Sequence, residues 1–191
     1  MRIGVLGSTR GTILPFLLRG LKEEALAAQI VVILSNNQAA PILQKARAFG
    51  IPEYVVSSEG LSREAFDTKL SSLLKSFQVD LIILMGYMRI LSPSFIASWR
   101  NKVINTHPSL LPDFSGLMDL DVHRAVLEAN RTITGCTVHL ATEALDAGPI
   151  LLQKECFVLK DDTPERLKAR VQALEGELLI EVIRGFLVEN A

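Results

Sequence analysis

Cysteine is scarce. Cys136 and Cys156 are its only occurrences in 191 residues, far apart, with no Cys-x-x-Cys pair and no histidine at ligand spacing. That pattern suggests neither a disulfide framework nor a zinc site, and it leaves two buried free thiols in a reducing compartment. A charge excess is also missing, with Lys plus Arg at 20 against Asp plus Glu at 21. A general binder of nucleic acid or of membrane surfaces normally carries a basic surplus, so neither is an expected partner. Apolar runs long enough to span a bilayer are absent, and the opening "MRIGVLGS" meets a glycine turn too soon for a signal peptide, so the expected location is cytoplasmic. Internal repeats, low-complexity tracts and linkers are lacking too, which makes residues 1–191 one expected domain.

What the chain does have is alternation. Short runs of Val, Ile and Leu recur at 2–6, 30–34, 53–56, 80–84 and 102–104, separated by longer helix-patterned stretches. This is the signature of a doubly wound α/β fold of Rossmann-like type, with a mostly parallel sheet and helices on both faces. "IVVIL" and "LIIL" are apolar on both alternating faces, which places them at the centre of the sheet. Pro41 suits the first turn of a helix, and Thr163-Pro164-Glu165 reads as an N-cap, a first-turn proline and a first-turn acid opening a long closing helix from 164 to about 188.

Open α/β sheets bind ligands beyond the carboxyl ends of their strands, so the polar residues there carry the functional reading. After the first strand comes "GSTRGT", residues 7–12, whose glycines and small hydroxyls lead into a helix. Such a loop either cradles a phosphate monoester on backbone amides or is a tight strand-to-helix turn. It fits neither the dinucleotide fingerprint nor the Walker pattern. After the fifth strand comes "NTHPSLLP". Pro108 disfavours a helical conformation for His107, and Asn105 lies two residues earlier, so in an extended segment both side chains project to one face. An amide N–H and an imidazolium converging there suit an oxyanion developing at a carbonyl carbon. A carboxylate nearby would keep the histidine charged. Asp146 in "TEALDAGPI" is a candidate, and equally an ordinary turn residue, while Glu143 reads as a solvated charge. "MGYMRIL" offers Met88, Ile90 and Leu91 either as walls for a flat heterocycle or as core. His123 and His139 read as structural, and no cluster suggests a metal.

"NTHPSLLP", "MGYMRIL" and "ALDAGPI" resemble, in order and spacing and over nearly the whole chain, the folate-dependent formyltransferases, with the N-terminal glycine loop pointing to those that act on glycinamide ribonucleotide. The resemblance implies 10-formyltetrahydrofolate as co-substrate, no metal, small-molecule partners only, and a monomer or homodimer. It implies direct attack of the acceptor amine on the formyl carbon, with Asn105 and protonated His107 stabilising the oxyanion and Asp146 keeping His107 charged and assisting proton transfer. It assigns Arg63, Met88, Arg89, Ile90, Leu91, Thr142, Glu143, Ala144 and Leu145 to the folate pocket. Gly11, Thr12 and Ile13 fall at the acceptor's phosphate, and Gly86, Ser109 and Glu175 at the rest of the acceptor.

The chain departs from the family pattern where Ile13 replaces an asparagine, where Thr9 and Arg10 stand for glycine and asparagine, and in a longer "GLMDLDVHRA" loop. Arg10 could offset the lost donor at the phosphate. A tRNA-directed formyltransferase is expected to carry a further RNA-binding domain and a formylfolate hydrolase a regulatory one. Formylation of another amine, such as an amino-sugar nucleotide, and a non-catalytic folate- or nucleotide-binding role are the alternatives.

Overall fold

The computed structural model describes residues 1–189. In chain order the elements are β1 (Arg2–Leu6), α1 (Leu14–Glu23), β2 (Gln29–Ser35), α2 (Pro41–Ala48), β3 (Glu53–Val55), α3 (Arg63–Ser76) and β4 (Leu81–Leu84), then α4 (Pro93–Ser98), β5 (Val103–His107), α5 (Leu120–Glu128), β6 (Ile133–Leu140), β7 (Ile150–Phe157) and α6 (Pro164–Glu189). The strands form one sheet in the order β3-β2-β1-β4-β5-β6-β7. Neighbours from β3 to β5 pair in parallel, and β6 and β7 join antiparallel at one edge.

The expected α/β architecture is therefore the observed one, with small shifts in the elements. The fifth strand runs on to His107 rather than stopping at 104, because Asn105, Thr106 and His107 pair with His139, Val138 and Thr137 of β6. The third ends at Val55, one residue early.

Both faces of the central strands are covered, as their unbroken apolar runs require. Ile3 and Val5 of β1 and Ile33 of β2 join the core under α1 and α6, while Leu6, Val32 and Leu34 join the one under α3 and α4. Full burial of each such side chain is worth about 1.5–3 kcal/mol, which makes these two layers the main source of stability. Helix starts follow local chemistry. Ser62 accepts from the Ala65 amide at 3.1 Å and Ser92 from the Phe95 amide at 3.3 Å, while Pro41, Pro93 and Pro164 occupy first turns. Thr163 accepts from the Arg166 amide at 3.3 Å, the cap its sequence suggests.

Strand order reverses between β1 and β4. Connections leave the two strands toward opposite sides there, which opens a crevice at their carboxyl ends.

Candidate active site

That crevice is a cleft of about 560 Å³, within the usual size of small-molecule sites. Its walls are the loops after β1 and β4, the end of β5, the 116–119 segment, the loop after β6 and one face of α6. Gly86 takes φ +62°, and a Cβ there would stand 2.2 Å from the Thr9 hydroxyl, so only glycine lets the two loops touch. Ser8 ties them as well: its hydroxyl donates to Asn36 Oδ1 at 2.5 Å and accepts from the Met88 amide at 2.9 Å. Ser8 thereby holds the segment 86–91 in place, a role that nothing in the spacing of "GSTRGT" signals.

At the floor stand Asn105, His107 and Asp146. Asn105 Nδ2 lies 3.5 Å from Asp146 Oδ1, and His107 Nδ1 lies 3.4 Å from Asp146 Oδ2. The same-face projection of Asn105 and His107 thus holds, and the oxygens they converge on are those of the aspartate. The Asp146 side chain is buried and its backbone takes φ +51°, a left-handed conformation that costs about 1–3 kcal/mol outside glycine and persists only where its surroundings impose it. The Gly116 amide donates to its Oδ2 at 2.9 Å, and the Leu140 amide donates to the Pro149 carbonyl at 2.9 Å, closing the loop that presents it.

His107 Nε2 donates to the Phe114 carbonyl at 3.2 Å. A carbonyl only accepts, so that proton is fixed, and Nδ1 is the position that gains or loses a proton beside Asp146. Burial pulls the His107 pKa below its ordinary 6.5, and Asp146 and the Phe114 bond offset part of that pull. A protonated Nδ1 would pair with Asp146, so the charge on His107 is set by burial acting against that carboxylate.

His139, whose strand pattern reads as structural, stands beside this group. It faces Asn105 across the β5–β6 pair, its Nδ1 donates to the Leu140 carbonyl at 3.0 Å, and its Nε2 accepts from Asn105 Nδ2 at 3.2 Å. The only signal was cross-strand register, which no residue spacing contains. His123 is likewise buried in the cleft wall, and its Nδ1 has no hydrogen-bond partner. Burial first, and Lys168 second, push its pKa down to about 4.

The apolar end of the cleft carries Met88, Ile90 and Leu145, all unusually exposed for their type, with Arg89, Leu91, Thr142, Glu143 and Ala144 between them. Arg89 lies over the Phe66 ring at 4.4 Å and donates to Ser58 Oγ at 3.2 Å. Exposed apolar side chains flanking a cleft suit a flat heterocycle. The polar end carries Gly11, Thr12, Ile13 and Gly86, together with Lys168, Gln172 and Glu175, which lie three to four residues apart along one face of α6. Gln172 Nε2 donates to the Thr12 hydroxyl at 2.9 Å. Glu175 is fully buried, and that burial, partly offset by Lys168, raises its pKa from 4.5 to about 8.

Two of the expected residues lie elsewhere. Arg63 opens α3 in solvent beside Glu64 at 3.7 Å and does not line the cleft, because helix geometry at that first turn leaves it on the outer surface. Ser109 is buried below the floor, where its hydroxyl donates to the Asp113 carbonyl at 2.5 Å. Its bond is spent on shaping the loop. Among the described residues, no three His, Cys, Asp or Glu side chains stand together as a metal site, and no helix is long and apolar enough to cross a membrane.

A trio of Asn, His and Asp beside an apolar pocket can polarise a carbonyl and move a proton, the needs of acyl transfer to an amine. Comparison with known proteins points the same way. The family model described as formyl transferase matches residues 1–183. The chain is 35% identical to phosphoribosylglycinamide formyltransferase of Escherichia coli, over 97% of this chain and 87% of that one. It is 42% identical to the trifunctional purine biosynthetic protein adenosine-3 of Bos taurus over 93% of this chain, and spans 17% of that relative's length. The crystal structure of glycinamide ribonucleotide transformylase 1 from Symbiobacterium toebii superimposes with a TM-score of 0.90 at 39% identity, covering 97% of this chain and 87% of that one. On the family model and the E. coli relative together, the chain belongs to the formyl transferase family.

Proposed function

We propose that residues 1–191 form one formyltransferase domain that transfers the formyl group of 10-formyltetrahydrofolate to the amine of glycinamide ribonucleotide, a step of purine biosynthesis. The observation that carries this reading is the convergence of Asn105 and His107 on Asp146 at the cleft floor, between an apolar end and a polar one. The folate's flat ring system would lie between Met88, Ile90 and Leu145, which line the cleft, with its formyl-bearing nitrogen toward Asn105. The ribonucleotide fits the polar end, with its phosphate at the loop after β1 and Glu175 toward its ribose or amine.

The acceptor amine adds to the formyl carbon, and the carbonyl oxygen becomes an oxyanion within reach of the Asn105 amide. The nitrogen sheds a proton to His107 Nδ1, where Asp146 offsets the new charge. The tetrahedral centre then collapses, the bond from carbon to the folate nitrogen breaks, and the proton passes from His107 to that nitrogen through water. Tetrahydrofolate and the formylated amine leave. Positioning of two substrates in one cleft supplies much of the remaining acceleration.

The test is to mix protein with 10-formyltetrahydrofolate and glycinamide ribonucleotide and follow tetrahydrofolate release by absorbance. Release that requires the ribonucleotide is expected. Release without any amine identifies a hydrolase, release only with an amino-sugar nucleotide replaces the acceptor, and silence in every arm overturns the catalytic reading.

A further inference from the structure

We propose that Arg10 and Lys168 form an anion seat for the acceptor's phosphate, and that Asp119 occupies that seat until the phosphate displaces it. This rests on the function proposed above and names the residues that hold its acceptor.

The loop after β1 brings backbone amides but no charge beyond Arg10. Ile13 is buried, presents no side-chain donor, and caps α1 without a side-chain bond. Thr12 already accepts from Gln172. Cationic charge comes instead from two residues remote in sequence, Arg10 on that loop and Lys168 on α6. Both line the polar end of the cleft and both bind one carboxylate. Arg10 Nη2 lies 3.3 and 3.2 Å from the two oxygens of Asp119, and the Lys168 ammonium bonds to the first of them. The Lys168 side chain is only 12% exposed, so its charge requires an anion close by.

Asp119 is a poor permanent anion. Its side chain is 56% exposed, its backbone takes φ +52°, and as the residue before α5 it makes no capping bond. Its pair with Arg10 is exposed on both sides and contributes little. A phosphate monoester brings more charge and three acceptor oxygens to the same two cations, so it outcompetes a single carboxylate.

Asp119 ends the segment that begins at Phe114, whose carbonyl holds His107 Nε2, and that passes Gly116, whose amide holds Asp146. His123 Nδ1, buried without a partner in the same wall, is ready to bond an acceptor hydroxyl.

Calorimetric titration of the full chain with inorganic phosphate tests the seat, alongside KM for glycinamide ribonucleotide and for 10-formyltetrahydrofolate. Arg10→Ala and Lys168→Met are each expected to weaken phosphate binding about tenfold or more, the usual effect of losing a charged hydrogen bond. Asp119→Asn is expected to tighten it. The KM for the ribonucleotide should follow while the KM for the folate stays put. Arg10 is 59% exposed, so its variant folds even if the Lys168 one does not. Unchanged phosphate affinity in Arg10→Ala overturns the seat, as does weaker binding in Asp119→Asn, which would make Asp119 part of the site rather than its placeholder. Phosphate binding that depends on Arg10, without formylation of glycinamide ribonucleotide, keeps the seat and rejects the acceptor. Formylation that is indifferent to all three substitutions does the reverse.

Discussion

Asn105 and His139 stand directly opposite each other on antiparallel strands, and the amide of the first donates to the ring of the second at 3.2 Å. His139 commits its other nitrogen to the Leu140 carbonyl, so its tautomer is fixed and it can only accept from Asn105. The histidine therefore orients the amide. His139→Ala is expected to lower kcat with little change in either KM, and by less than Asn105→Ala, for which loss of an oxyanion donor predicts about 10²–10³-fold. Equal KM changes and an unaltered kcat would remove His139 from the reaction.

Asp146→Asn and His107→Ala should each reduce turnover about 10²-fold or more while folate binding, followed by fluorescence quenching, persists. His107 must be neutral to take the amine's proton, so kcat/KM should fall with acid along a limb whose midpoint lies below 6.5. Asp146 raises that midpoint, and Asp146→Asn should move it lower still. An unmoved limb would break the pairing.

Glu175 makes stability pH-dependent in a defined window. Its carboxyl titrates near 4.5 when unfolded and near 8 when folded, so between these values the folded state binds the extra proton. That contribution is complete below pH 4.5 and disappears as pH rises through 8. Glu175→Gln should melt close to the parent at pH 5 and above it at pH 8. A constant offset across the range would show that the carboxyl is not held protonated.

His123 works in the opposite direction. Folding lowers its pKa from 6.5 to about 4, so its contribution is complete above 6.5 and declines as pH falls toward 4. His123→Asn should flatten that acid decline in urea titrations at pH 4.5 and 7. A decline as steep as the parent's would place the lost stability elsewhere.

Gly148 fixes the loop carrying Asp146. A Cβ there would stand 1.8 Å from the Leu140 carbonyl oxygen, backbone that cannot yield. Gly148→Ala is expected to cost about 3 kcal/mol, the upper end of overpacking penalties, and to lower the melting temperature by about 6–12 °C in a chain of this size. Retained stability together with full activity would contradict the geometry.

How much of this the sequence carried depends on the distance over which each feature is encoded. The strands, the Pro41 and Thr163 helix starts and the same-face placement of Asn105 and His107 rest on neighbours within a few residues, and all are found. Asp146 could not be put beside His107 by spacing alone, and the family resemblance supplied what local chemistry could not. His139 escaped because its partner is set by strand register, and Ser8 because its partners are Asn36 and Met88, 28 and 80 positions away. The lowered pKa of His107 is a balance between burial and one carboxylate, and burial is a property of the whole fold.

The reacting trio sits on the sheet and its edge loop, whereas Lys168, Gln172 and Glu175 ride on α6, a single rod of 26 residues. On the proposed reading, formyl chemistry and acceptor recognition are mounted on different parts of the molecule, so substitutions along one stripe of that rod are expected to change which amine binds more than how it reacts.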